Sequence, residues 1–330
     1  MKTAVVTGAA GFIGSHLSEK LLDNKIKVIG IDSFTDYYSK KIKKNNLKKC
    51  LKNKNFHFIQ NDLLKIKLEP IFKKTEYIFH HAAQPGVRSS WGMEFNTYVR
   101  NNILVTQKIL ESAKEIKTIK KIIIASSSSI YGDQEGVMKE NKTVPKPKSP
   151  YGATKMTSEN LGLIYASNYE LPITAIRYFT VYGPRQRPDM AFTRFIINAL
   201  NQNEVNVFGD GNQTRDFTYI DDIINANILC MNSSSTGESI NVGGGQIISI
   251  NKILTKIQNN IQNEFKIKYL TKQKGDVDHT QADISKAKKI LKFSPKIKID
   301  DGLKNQIEYL KNHLKLYNNV NLNNKKNHSQ

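Results

Sequence analysis

The chain has 330 residues, 39% of them hydrophobic, with 50 Lys and Arg against 29 Asp and Glu and a formal net charge of +21. That length supports one large or two modest domains with a substantial core, and no run of roughly 18 apolar residues is present to cross a bilayer. Two cysteines, Cys50 and Cys230, stand at no metal-ligand spacing, which argues against a disulfide framework and for a reducing cytoplasm.

The positive excess is spread along the chain, and Lys outnumbers Arg in company with Asn and Ile. Its densest run, Lys40 to Lys54 (KKIKKNNLKKCLKNK), has no interleaved aromatic platform of the kind single-strand binders use. No nucleic-acid partner is therefore expected, whereas a positive field suits an anionic small substrate. Residues 1–6 run straight into a strand-like segment, so neither a signal peptide nor membrane insertion is expected.

Thr3 to Thr7 (TAVVT) reads as a β-branched strand, followed by Gly8-Ala9-Ala10-Gly11-Phe12-Ile13-Gly14 and a helix from about Phe12 to Asn24. A second strand, Lys27 to Asp32, ends in an acid. Strand, glycine turn, helix and terminal Asp together form a dinucleotide-binding fingerprint. The glycines allow a tight turn and close approach to a pyrophosphate, which the helix N-terminus faces. Asp32 can accept bonds from both adenosine ribose hydroxyls and repels a 2′-phosphate, which favours NAD over NADP.

Asn55 to Asn61 predicts a third strand, with Asp62-Leu63 placed to bracket an adenine, and Tyr77 to Ala82 a fourth that runs on to Gln84 and Arg88. His80 and His81 have no ligand partner at metal spacing, so they read as structural and no metal is expected. A long helix from about Trp91 to Lys114 carries Asn101-Asn102. Lys121 to Ser126 reads as a buried strand that opens into four serines, Ser126 to Ser129. Strands alternating with helices predict a doubly wound parallel sheet, with its ligand crevice at the carboxyl ends of the strands. The glycine turn, Asp32, Asp62, Ala82 and Ser127 all fall at such ends.

In SPYGATKMTSEN (149–160), Tyr151 and Lys155 stand four apart, on one face of a helix that Pro150 starts and Ser149 caps. An ammonium held beside a phenol stabilises the phenolate and lowers its pKa toward the range of a general base. Further on come a strand at Pro172 to Phe179, the segment TVYGPRQRPDM (180–190) and a helix at Phe192–Asn201. NVFGDGNQTRDFTYIDD (206–222) and KGDVDHTQADISKAKKIL (274–291) follow. Residues beyond about Leu316 lack apolar periodicity and read as a disordered tail, 317–330.

With GxxGxxG, the serine strand, YxxxK and RYFTVYGPRQRPDM in this order, the chain resembles the extended short-chain dehydrogenase/reductase family over roughly residues 1–312. Within that family it is most similar to the NAD-dependent nucleotide-sugar epimerases. The resemblance implies an α/β fold in which 1–178 is a Rossmann domain, interleaved with a smaller α/β lobe, mainly 179–316, for the nucleotide sugar. It implies Tyr151 as catalytic base, Lys155 as its partner and ribose ligand, and Ser127, with Ser128 as the alternative, sharing the proton transfer. The implied NAD site comprises Gly8, Gly11, Phe12, Ile13, Gly14, Asp32, Asp62, Leu63, Ala82, Gln84, Asn101, Tyr151, Lys155 and Tyr178.

Dehydratases and decarboxylases of the family carry carboxylates just after the serine strand. Ser128 and Ser129 stand there instead, which leaves 4-epimerisation through a 4-keto sugar. Thr180 where UDP-glucose epimerases typically have Asn, together with Arg185, Arg187, AAQPGVRSSW (82–91) and DYYS (36–39), resembles the UDP-glucuronate 4-epimerases. A guanidinium can grip the uronate carboxylate bidentately. Arg187 with Thr180 and Ser128 is the expected clamp, with Arg88 as a secondary candidate. Such a clamp would protect the 4-keto uronate, a β-keto acid, from losing CO₂.

By the same resemblance Met190–Phe192 and Val207–Phe208 meet uracil, Arg215 the diphosphate and Asp276 the uridine ribose. Gln273 stands where many relatives have Arg, which alters or removes that contact. UDP-glucose or UDP-N-acetylglucosamine 4-epimerisation is the alternative reaction, then UDP-glucuronate decarboxylation. A homodimer through the helices near 91–114 and 151–168 is implied as well, in a cytoplasmic enzyme that supplies cell-surface polysaccharide.

Overall fold

The computed structural model describes residues 1–318. Its centre is a seven-stranded parallel sheet of β1 (Thr3–Thr7), β2 (Lys27–Asp32), β3 (Phe56–Gln60), β4 (Tyr77–His80), β5 (Lys121–Ser127), β6 (Ile173–Tyr178) and β7 (Glu238–Val242). The spatial order is β7-β6-β5-β4-β1-β2-β3, so the chain reverses direction across the sheet between β1 and β4. That switch point is where an open α/β sheet leaves a crevice. β4, β6 and most of β5 are buried, as their near-continuous apolar runs require of a sheet covered on both faces.

One face packs against α1 (Phe12–Asp23), the other against α2 (Val105–Ala113) and α3 (Pro150–Tyr169). α3 starts as its sequence dictates: Pro150 occupies the first turn, and the Ser149 hydroxyl accepts from the Gly152 N–H at 3.0 Å. A buried ion pair fixes it to the sheet. Arg177 of β6 donates through Nε to both Glu159 oxygens at 3.1 Å, and Ser126 and Ser239 donate to the same carboxylate.

The chain after β6 builds a smaller layer from three two-stranded pairs and the helices at Ala191–Leu200 (α4), Ile250–Ile261 and Ile299–Asn312, and partway through it sends Glu238–Val242 back to the edge of the main sheet. The second half is thus threaded through the first.

Two expectations are corrected. The helix expected over 91–114 is a composite, with 3₁₀ and α turns leading into a π segment at Val99–Leu104 before α2. The wider turn puts Asn101 on a cleft while Asn102 points inward, its amide bonding the Gln84 backbone N–H and C=O at 2.7 and 3.1 Å. The tail does not begin at Leu316: Leu314–Asn318 is helical and Tyr317 is fully buried. The rest of the expected tail, 319–330, lies outside the described residues. Both cysteines are buried and unbonded.

Candidate active site

A cleft of about 230 Å³ opens at the switch point, and every residue assigned above to the dinucleotide lines it. Gly8 has φ +68°, and a Cβ on Gly14 would stand 2.2 Å from the Gly8 carbonyl oxygen, so only glycines permit this turn and helix to meet. No side chain caps α1 and no acid sits in its first turn, so the Phe12 and Ile13 end faces the cleft as an anion-binding terminus. Asp32 accepts from the backbone N–H groups of Ala10 at 3.1 Å and Phe34 at 2.8 Å, which aims its carboxylate at the cleft. Burial raises its pKa, and those bonds and Lys43 oppose the rise. Glycine cradle, uncapped helix and fixed carboxylate fit NAD.

His80 shares bonds of 2.9 Å with Thr7 and Thr106, and burial holds it neutral with a pKa of about 3. His81 is only partly buried: it lines the cleft and stacks on Tyr178 with centroids 6.0 Å apart. Among the described residues no group of three or more His, Cys, Asp and Glu could hold a metal.

Tyr151 and Lys155 lie one turn apart at the inner end of this cleft. The Tyr98 ring packs edge-on against Tyr151, centroids 6.2 Å apart, and is itself tied by its hydroxyl to the Gly86 carbonyl at 2.7 Å. Burial raises the Tyr151 pKa, while the neighbouring Ser127 hydroxyl and the positive charge of Arg187 oppose it. Lys155 is brought down to about 8 by burial, with Glu159 opposing. The expected depression of the phenol by Lys155 is therefore not what the structure has. Both groups are desolvated, each charged form is penalised, and the cation favouring phenolate is Arg187. Ser127 ends β5 in register with Tyr178, and its hydroxyl accepts from the Ser129 N–H at 3.1 Å.

A larger pocket of about 1570 Å³ adjoins the cleft, lined by Ser128, Thr180, Met190, Phe208, Arg215 and Asp276 among others, and Arg187 and Tyr37 border both. Arg88 lines the same pocket and pairs with Asp276 at 2.7 Å, its guanidinium 4.1 Å from the Phe208 ring centroid. Both of these partners are among the residues assigned above to the nucleotide. Arg215 is anchored by the carbonyls of Thr214, Val277 and Asp278. Gln273 bonds the Thr271 carbonyl at 3.1 Å and lines the pocket.

Phe192 is not a pocket residue. It is 1% exposed and packs on Phe217 and Tyr182. On α4 the positions Ala191, Arg194 and Phe195 share the pocket face, so helical periodicity alone turns Phe192 to the core. Arg194 is the functional candidate missed. Its Nε is buried without a hydrogen-bond partner, and its guanidinium lies 5.3 Å from the Phe208 ring. The i, i+3, i+4 spacing from Ala191 was the available signal.

The family model described as GDP-mannose 4,6 dehydratase matches residues 5–306. A Bacillus subtilis (strain 168) protein described as uncharacterized UDP-glucose epimerase YtcB is 44% identical over 308 residues, 93% of this chain and 97% of that protein. A UDP-glucuronate 4-epimerase of Thermodesulfobacterium geofontis (strain OPF15) is 42% identical over 316 residues, 94% of this chain and 97% of its own. The crystal structure of UDP-glucuronic acid 4-epimerase from Bacillus cereus, in complex with UDP-glucuronic acid and NAD, is similar with a TM-score of 0.92 and 44% identity, covering 94% of this chain and 99% of that one. The parallel sheet, the glycine cradle and the YxxxK helix are thus those of the GDP-mannose 4,6-dehydratase family of extended short-chain dehydrogenases/reductases, to which this chain belongs.

Proposed function

We propose that the protein is an NAD-dependent UDP-glucuronate 4-epimerase, interconverting UDP-glucuronate and UDP-galacturonate through a transient 4-keto sugar. The observation that carries this is that the half-buried Tyr151 phenol lines the cleft whose border with the larger pocket is shared by the half-buried Arg187, while Ser128 and Ser129 stand where an eliminating enzyme needs carboxylates. The relatives and the Bacillus cereus enzyme bound to UDP-glucuronic acid and NAD support it.

In this reading the cleft holds the dinucleotide on Asp32, the Gly8–Gly14 turn and Lys155. Bound NAD supplies the acceptor for the C4 hydrogen as hydride and then its donor. Tyr151 Oη takes the proton of the sugar 4-hydroxyl and later returns it, with Ser127 sharing that proton. Arg187, Thr180 and Ser128 hold the C6 carboxylate charged, which keeps the β-keto acid from releasing CO₂. Arg194 and Arg215 take the diphosphate, Phe208 and Met190 border the uracil, and Asp276, paired with Arg88, meets the ribose. The volume of the larger pocket gives the keto sugar room to turn over before reduction on its other face.

Incubating the pure protein with UDP-glucuronate and following the products by NMR tests this. UDP-galacturonate is expected. UDP-xylose with CO₂ would make the protein a decarboxylase, and turnover of only UDP-glucose or UDP-N-acetylglucosamine would overturn the uronate assignment.

The division near residue 178 into a cofactor domain and a nucleotide-sugar lobe belongs to the same proposal, supported by the fall of Arg187, Arg194, Arg215 and Asp276 after it. So does a homodimer through the helices near 91–114 and 151–168, on which Leu104 and Ile164 are exposed. A cytoplasmic enzyme supplying UDP-galacturonate for polysaccharide, without a nucleic-acid partner, completes it. The scattered lysines support that last part.

A further inference from the structure

Arg187 already holds a carboxylate. Its Nε and Nη2 donate to Asp189 Oδ1 and Oδ2 at 3.0 and 2.8 Å, and the Tyr37 hydroxyl donates to the same Oδ2 at 3.3 Å. Arg187 borders both cavities and Asp189 lines the larger one, with 19% of the arginine side chain and 25% of the aspartate exposed. Pro188 between them fixes the local backbone angle, and the Met190 N–H closes the turn on the Arg187 carbonyl at 3.1 Å, so the two side chains are held in register. Asp189 thus fills one of the two edges through which a guanidinium grips a carboxylate. A substrate carboxylate is left the edge formed by Nη1 and the remaining Nη2 hydrogen.

We propose that Asp189 is a specificity-determining residue: the internal counter-ion that sets how strongly this site prefers a carboxylated sugar over a neutral one. The inference rests on the function proposed above. A carboxylate arriving at the free edge meets a guanidinium whose charge is already half answered, and it is repelled by Asp189 across the plane. Its affinity is held down accordingly. A neutral sugar, for its part, never buries an unpaired cation, because Asp189 stays in place. Preference is therefore moderated from within the site, and Tyr37, bonded to Asp189 from the loop after β2, keeps the counter-ion aimed.

The test measures dissociation constants of UDP-glucuronate, UDP-glucose and UDP for NAD-loaded wild type and Asp189→Asn, which keeps the shape and removes the charge. UDP reports whether the nucleotide half is intact. The ratio of the two sugar affinities should move about tenfold or more toward UDP-glucuronate, the scale of one hydrogen bond to a charged group, with UDP unchanged. Asp189→Ser, smaller and still polar, carries the same measurement if the Asn variant does not fold. An unmoved ratio, or one moved toward UDP-glucose, overturns the proposal and leaves Asp189 as a prop for Arg187. Wild type that epimerises UDP-glucuronate with such a ratio in the variant sinks this assignment alone, whereas wild type that neither binds nor turns over UDP-glucuronate sinks the proposed function and this inference together.

Discussion

The cleft behind the Gly8–Gly14 turn is lined by strand ends and one helix terminus, whereas the pocket beside it is lined by side chains that include opposed charge pairs. In the first, recognition comes from N–H groups that cannot be mutated away and from a glycine turn that excludes side chains. In the second it comes from side chains such as Arg187 with Asp189 and Arg88 with Asp276, each cation already partly satisfied by an acid. A site of the first kind is rigid and selects one cofactor. One of the second kind can be retuned by exchanging single side chains, which is how one fold serves many nucleotide sugars.

The largest way to break the comparison is at the reacting end of the cleft. Tyr151→Phe should lower kcat by about 10²–10⁴, the range of a general acid–base group, while UDP-glucuronate still binds, measured by stopped turnover and titration. Next is the buried pair that fixes α3 to the sheet. Glu159→Ala strips Arg177 of its carboxylate and should cost about 3–5 kcal/mol, read from denaturant unfolding. In the pocket, Arg194→Ala should weaken UDP binding by roughly 10–100-fold, the loss of a charge-assisted bond, and leave NAD binding unchanged.

The pH profile sharpens the contrast. Lys155 is charged below about pH 8 and neutral above it, so kcat/KM should fall on an alkaline limb near pH 8. Lys155→Arg, which does not titrate in this range, should lose that limb while keeping whatever activity its geometry allows. The smallest effect is expected at the exposed pair: Arg88→Ala should change UDP binding by less than about fivefold, since such ion pairs contribute only about 0–1 kcal/mol.

The cofactor side was legible in the sequence because its signals are local. A β-branched strand, a glycine turn, a helix and an acid at the next strand end occupy 30 consecutive residues, 3–32, and Ser149-Pro150 marks a helix start by its own chemistry. The pocket side was only partly legible. Phe192 and Arg194 stand two apart on one helix, and which of them meets ligand depends on how that helix is rolled against Tyr182 and Phe217. Asn101 faces the cleft through a π turn that no spacing rule announced, and Tyr317 docks through too few apolar residues to produce a periodic pattern.

The sequence by itself determined the parallel sheet, the dinucleotide turn and the pairing of Tyr151 with Lys155, because each follows from contacts within a turn or a strand–helix step. Only the tertiary structure decided which charges meet. It drew Tyr151 and Lys155 out of water together so that desolvation penalises both, gave the phenolate Arg187 as its favouring cation, and set Asp189 and Tyr37 around that arginine from 152 residues apart. Electrostatic energy depends on distance and on exclusion of water, and neither exists until the chain has folded.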